Sequence, residues 1–303
     1  DGNLSYDHAR INQNSIVLTD STGGTHEYTY QSGGYKPPTN EDGQLTRNND
    51  GTITLQDTDS RTYIFNTDGT LQSVTSPVDD RKPAALNYTY ASINNGPAAL
   101  TQITDGVDSN RWAKIYYSGD SANNCGTPPS GFELAPTNML CAVKTNDNRA
   151  TYFYYKTDLT TNISQLSRIA EPGNELTDYQ YEAVQNQSSS TNGTTTNTTI
   201  GYRLTAIRDT TANDTIAANI RTNDNTVLTQ IAYDTIGRAI SVKQPAATTI
   251  GTSANRIEHT VEYLPGAPDK SYAGKTKQHT GTINPSGTYT PAAEPNGFTH
   301  QIE

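Results

Sequence analysis

Short runs of alternating apolar and polar residues, each closed by Gly, Pro, Asn or Asp, recur along the chain. Alternation with a period of two sets successive side chains on opposite faces of a strand, so these runs predict β-strands and their closures predict turns. Five stretches share one phrase. They are TYIFNTDGTLQSVTSP (62–77), NYTYASINNGPAALTQITDG (87–106), TYFYYKTDLTTNISQLSRIAEPG (151–173), DYQYEAV…IGYRLTAIRD (178–209) and IAYDTIGRAISVKQP (231–245). Each carries an aromatic alternation (Tyr63 with Phe65 in the first, Tyr-x-Tyr in the next three) or Tyr-Asp, a turn of variable length, an apolar residue, two further residues, then Ile or Val and a second turn. The positions that define the phrase are Tyr63, Tyr88, Tyr90, Tyr152, Tyr154, Tyr179, Tyr181 and the set Tyr233, Asp234, Gly237, Arg238. Tyr-x-Tyr places two rings on one side of a strand, and Asp-Gly or Asn-Gly supplies the positive φ of a tight hairpin.

The fold expected is therefore all-β, a repetitive array of β-hairpins forming a long coiled sheet. A hairpin cannot bury its own apolar face, so neighbours must pair or stack. The array is assigned to residues 1–245, with an opening segment at about 28–77. Residues 246–303 read as a continuing hairpin segment. Spacing between phrases varies because inserts fall in turns, where added length costs little. The longest insert, QNQSSSTNGTTTNTT (185–199), is too polar to pack and is expected to be a mobile surface loop. Its Asn192 and Asn197 would be glycosylation acceptors only in a eukaryotic secretory host.

Charge narrows the partners. With 21 Lys+Arg against 31 Asp+Glu, the formal net charge is −10. That balance disfavours nucleic acid and anionic lipid, both of which call for a basic surface. No apolar run approaches the roughly 20 residues of a membrane helix, so membrane insertion is not expected. Only 17% of residues are charged, and Thr, Asn, Ser, Tyr and Gly carry the surface instead. Such a make-up is common in extracellular proteins. Cys125 and Cys141 flank GTPPSGFELAPTNML. In an oxidising compartment they could close a loop stabilised by about 3 kcal/mol; the alternative is two unrelated buried thiols. The opening DGNLSYDHAR and the closing NGFTHQIE both read as strand and turn, as expected of a segment of a longer chain.

YDTIGRAISV (233–242) resembles the Tyr-Asp, Gly-Arg, apolar-x-x-Val repeat of the YD-repeat, or Rhs, family, which includes the YD shells of teneurins and of the C components of insecticidal toxin complexes. Residues 35–77 resemble the opening of many bacterial members, and 125–155 is similar to a cysteine-flanked segment of actinobacterial-type chains. The likeness spans about 28–245 and is looser over 246–303. It implies a hollow β-shell that encloses a toxic C-terminal region in bacteria or supports adhesion in teneurins. The chain departs from the fullest pattern, since most phrases keep Tyr-x-Tyr without the literal Tyr-Asp. The terminal core motif with its autoproteolysis site is not visible before Glu303, so self-cleavage and an enclosed toxin are not assigned to these residues.

Candidate chemistry is sparse. His8, His26, His259, His279 and His300 lack metal-ligand spacing and read as satisfied surface or strand histidines. NEDG, NNDG and NTDG evoke calcium loops, but the bidentate Glu of an EF-hand is missing and turn chemistry explains them. Asp57/Asp59 and Asp79/Asp80 lie in turn-like sequence rather than across a cleft, as a glycosidase pair must. No nucleophile elbow or phosphate loop is present. Trp112 reads as a strand core residue. No cofactor, metal site or enzymatic activity is expected. The function expected is structural, a segment of a large secreted or cell-surface protein that encloses or displays another region, such as a C-terminal toxin. Its partners would be the rest of its own chain, neighbouring copies through sheet edges, or an enclosed C-terminal polypeptide. The alternative is an adhesin or glycan-binding β-domain contacting a cell-surface glycan or receptor, with the Tyr rings as sugar platforms; a secreted enzyme on a β-scaffold ranks last.

Overall fold

The computed structural model describes residues 5–58, 60–75, 86–119, 124–189, 195–234, 237–246, 256–263, 276–283, 289–291 and 300–302. The chain is nearly all β, built from long antiparallel sheets, as the alternation predicts. It divides into two compact units, one of residues 1–125 with 137–150, the other of residues 126–136 with 151–303.

The first unit opens with a four-stranded meander of β1 (Tyr6–Ile11), β2 (Ser15–Asp20), β3 (Thr25–Gln31) and β4 (Gly34–Lys36). A second sheet follows in which each strand pairs with the next. It runs through β5 (Gln44–Arg47), β6 (Ile53–Gln56), β7 (Thr62–Phe65), β8 (Leu71–Thr75), β9 (Leu86–Ser92), β10 (Ala98–Asp105), β11 (Trp112–Tyr117) and β12 (Leu140–Thr145). The meander lies on the start of this sheet. Tyr6, Ala9, Ile16, Leu18 and Tyr28 from one side meet Leu45, Ile53, Leu55, Tyr63, Phe65 and Leu71 from the other in a buried apolar cluster. The N–H of Ala9 bonds the carbonyl of Gly69 at 2.8 Å, in the turn between β7 and β8. Gly69 has φ +88°, and a Cβ there would lie 1.8 Å from the Ala9 carbonyl oxygen, so only glycine fits.

The second unit continues with β13 (Ala150–Asp158), β14 (Ile163–Glu171), β15 (Glu175–Ser189) and β16 (Thr195–Arg208). A short helix α1 (Thr210–Ala217) precedes β17 (Thr229–Tyr233), β18 (Ala239–Lys243), β19 (Arg256–Tyr263) and β20 (Thr276–Ile283). β21 (Tyr289–Pro291) and β22 (His300–Ile302) both pair with β20. The strand phrases overlooked α1. Asp209 caps it by accepting from the N–H of Ala212, and Ala212 packs with Ala206, Val227 and Leu228.

The polar insert is a correction to the expected loop. Its flanks stay in register from Gln185↔Thr199 to Ser189↔Thr195, so β15 and β16 extend as a two-stranded ribbon. Thr and Asn supply little to bury, but their backbone groups satisfy one another across the ribbon. Asn192 lies outside the described residues, as do Asp59, Asp79 and Asp80.

Candidate functional site

An apolar pair three residues apart belongs on opposite faces of a regular strand, yet the phrase repeats it. The structure resolves this with a β-bulge. In β7–β8, Phe65 faces Leu71 and Ile64 faces Ser73, which leaves Gln72 as the extra residue. One extra residue turns a spacing of three into a same-face pair. Leu71 therefore faces Phe65, while Val74 faces Tyr63. The same frame sets Leu100 and Ile103 against Tyr90 and Tyr88, Leu166 and Ile169 against Tyr155 and Phe153, and Leu204 and Ile207 against Tyr181 and Tyr179. It also sets Ala239 and Val242 against Tyr233 and Ile231.

A bulge interrupts the ladder, and the carbonyls around it need other donors. The Tyr117 hydroxyl donates to the Leu100 carbonyl at 3.0 Å, that of Tyr233 to Leu204 at 2.6 Å, and that of Tyr263 to Ala239 at 3.0 Å. In each case the acceptor precedes a bulged residue, and the donor sits on the first strand of the following hairpin. The bulged Thr101 and Thr205 donate back to the carbonyls of Thr89 and Gln180, which are equivalent positions. Three of the hairpins are thus keyed to the ones before them.

The Tyr-Asp-Gly-Arg set forms a corner. The Asp234 N–H bonds the Arg238 carbonyl at 2.9 Å, and the Gly237 N–H bonds the Asp234 carbonyl at 3.1 Å with Gly237 at φ +91°. The Asp234 carboxylate accepts from the Arg238 N–H at 2.8 Å and from its Nε at 2.7 Å. Arg203 lies over the Tyr233 ring at 4.6 Å, and Arg238 over the Tyr263 ring at 4.1 Å. The turns 48–52 and 66–70 repeat this backbone pattern, with Gly51 and Gly69 at φ +87° and +88°. There Asp50 and Asp68 accept from the N–H and hydroxyl of Thr52 and Thr70, which draws both carboxyls below their ordinary range. These are the NNDG and NTDG turns, and their carboxylates are engaged within the turn.

No protein-family model matches the chain, and no curated protein matches it.

The structure separates the predicted residues into two groups. Tyr63, Tyr88, Tyr90, Tyr179, Tyr181 and Tyr233 occupy the bulged frame. Tyr152 and Tyr154 stack on each other at 6.1 Å on the opposite face, against Gly126, and the frame positions of that hairpin are Phe153 and Tyr155. In TYFYY four consecutive aromatics fit either frame, so the periodicity there is degenerate. A sixth hairpin escaped the reading. Ile115 and Tyr117 face Val143 and Leu140, with Cys141 as the bulged residue. Its Leu-x-x-Val was visible in LCAV, but residues 118–139 separate the two strands. Cys141, fully buried, is bonded to Cys125, so the disulfide pins a bulge of the frame.

Other clusters are ionic. His26 donates from Nε2 to Asp20 at 2.8 Å and from Nδ1 to Glu41 at 2.6 Å, under the edge of the Tyr6 ring. Burial opposes its protonation, but the two carboxylates prevail and hold the imidazole above its ordinary pKa. Thr22 and His26 hold Asp20 well below the usual carboxylate range. Burial and the Glu41 charge push Tyr6 up to about 12. Glu41 belongs to NEDG, so there one acid serves a histidine rather than the turn. Asp178 faces both Arg168 and Arg208 across the ladder and binds them at 2.5 and 3.3 Å. His259 contacts Gln244, and His8 bridges to Thr70. Trp112, expected in a core, is half-buried beneath Lys114 at 4.6 Å. Among the described residues no three His, Cys, Asp or Glu side chains gather where they could hold a metal ion, and no helix is long and apolar enough to cross a membrane. A cavity of about 600 Å³ lies beside β9, lined by Tyr6, Tyr63, Leu71, Tyr88, Tyr90 and Leu100.

Proposed function

We propose that the chain is a structural segment of a large secreted or cell-surface YD-repeat protein, whose hairpin sheet encloses or displays another region of the same polypeptide. The observation that carries this reading is the common bulged frame, met in six hairpins, with Tyr hydroxyls keying three of them to their predecessors. Such a unit can add to itself without a fixed end, because a following hairpin can supply the donor that its predecessor's bulge requires, as Tyr117, Tyr233 and Tyr263 do. Asp50, Asp68 and Asp234 are engaged in turns, Thr101 and Thr205 at bulges, and Asp178 in cross-strand ion pairs. The disulfide supports export to an oxidising compartment.

The test is the intact mass of the native polypeptide from its source cells, with and without reduction. A mass far above 32.8 kDa, with further hairpin phrases in the additional sequence, is the expected result. A mass near that value would overturn the reading and leave a self-contained adhesin in its place. A gain of two hydrogens on reduction is expected from Cys125 and Cys141.

A further inference from the structure

The tip of the β3–β4 hairpin, the β1–β2 turn and strand β5 bound a cleft of about 470 Å³ in the first unit. Its lining includes Gln13, Tyr30, Tyr35, Thr46, Arg47 and Asn48. That volume falls in the range of small-molecule sites, about 300–1,000 Å³.

Three features of the lining point to one ligand chemistry. Tyr28 and Tyr30 lie two apart on β3, yet Tyr28 is buried in the core while Tyr30 is 50% exposed beyond it. Tyr30 meets Tyr35 edge to face at 5.2 Å and 65°, which fixes its ring as a wall of the cleft. Arg47 forms no ion pair or side-chain hydrogen bond among the described residues, although acidic groups outnumber basic ones by 31 to 21 in the chain. Asn48 spends its amide N–H groups on Thr52 and Thr54 at 2.9 Å, which leaves Oδ1 as an acceptor, and Gln13 adds a second amide.

We propose that this cleft binds a carboxylate-bearing sugar ring of the uronic-acid class. The apolar C–H face of the ring packs on Tyr30, the carboxylate takes the planar fork of Arg47, and ring hydroxyls bond Asn48 and Gln13. A phosphate ester would call for several cations or a helix N-terminus, and the lining has one Arg and neither of these. The proposal does not depend on whether the hairpins belong to a longer shell.

Trigalacturonic acid, its fully methyl-esterified form and a glucuronate-containing hyaluronan tetrasaccharide are titrated into the full chain by calorimetry. Saturable binding of at least one acidic oligomer, with loss on esterification, is expected. Arg47→Gln and Tyr30→Ala, both at exposed positions, should each weaken it about tenfold or more without moving the thermal midpoint. The tighter of the two acidic probes identifies the source of the uronate. Failure of both to bind, equal binding of acid and ester, or full binding by Arg47→Gln would overturn the proposal.

Discussion

The hydroxyl of Tyr233 donates to the backbone carbonyl of Leu204 at 2.6 Å, across the join between two hairpins. A Phe at this position would keep the ring and lose only the bond. Tyr233→Phe should lower stability by about 1–2 kcal/mol, the cost of leaving a half-buried carbonyl unsatisfied. Tyr179→Phe is the matched control, since among the described residues its hydroxyl has no partner. Chemical denaturation of both variants checks this, and equal midpoints would refute the key.

Gly69→Ala should be far more damaging. The new methyl would sit 1.8 Å from the Ala9 carbonyl oxygen, in a backbone conformation L-residues resist. The meander must shift off the sheet, breaking the Ala9–Gly69 bond and opening the apolar cluster. A loss of about 3 kcal/mol or more is expected. Gly237→Ala has the same φ problem but open space around it, so about 1 kcal/mol is expected there. Thermal midpoints of the two variants give the comparison.

The Asp178 carboxylate holds two arginines that sit opposite it on neighbouring strands. Asp178→Ala strands two cations in a half-buried site, and a loss of about 3–5 kcal/mol is expected. Replacing Arg208 alone leaves the bond to Arg168 and should cost less. A double-mutant cycle on Asp178 and Arg208 measures the coupling.

His26 makes stability depend on pH, and the sign follows from the direction of its shift. Its pKa is raised in the folded state, so its contribution is complete below about 6.5, the ordinary His value. That contribution fades as pH rises through the higher folded value. Asp20 is shifted downward, so its contribution is complete above the ordinary carboxylate range and fades in acid. The difference in midpoint between wild type and His26→Gln should therefore be large near pH 6 and shrink on the alkaline side. A difference that grows with pH would show the imidazole to be neutral in the fold.

Cys125→Ala with Cys141→Ala removes the staple on the sixth bulge. A loss of about 3 kcal/mol is expected, following the entropy of the closed loop. Wild type under reducing conditions should behave alike, and an unchanged midpoint in either measurement would deny the bond a stabilising role.

Alternation and turn residues by themselves determined that this chain is β, that Asp and Gly would make its corners, and that its phrases would form hairpins. These are local properties, set by the period of a strand and by which residues tolerate positive φ. Tertiary structure decided the rest. The bulge that makes Leu204 and Ile207 face one way exists only once β15 lies beside β16, because a bulge is a mismatch between two strands. Pairing alone chose Phe153 and Tyr155 over Tyr152 and Tyr154, since both frames alternate equally well. The sixth hairpin joins strands separated by residues 118–139, beyond the reach of any local pattern. His26 finds Asp20 across a turn and Glu41 in a later loop, and the cleft around Tyr30 and Arg47 is assembled from three separate segments. Charge and shape at a site are sums over distant residues, and only the folded chain performs that sum.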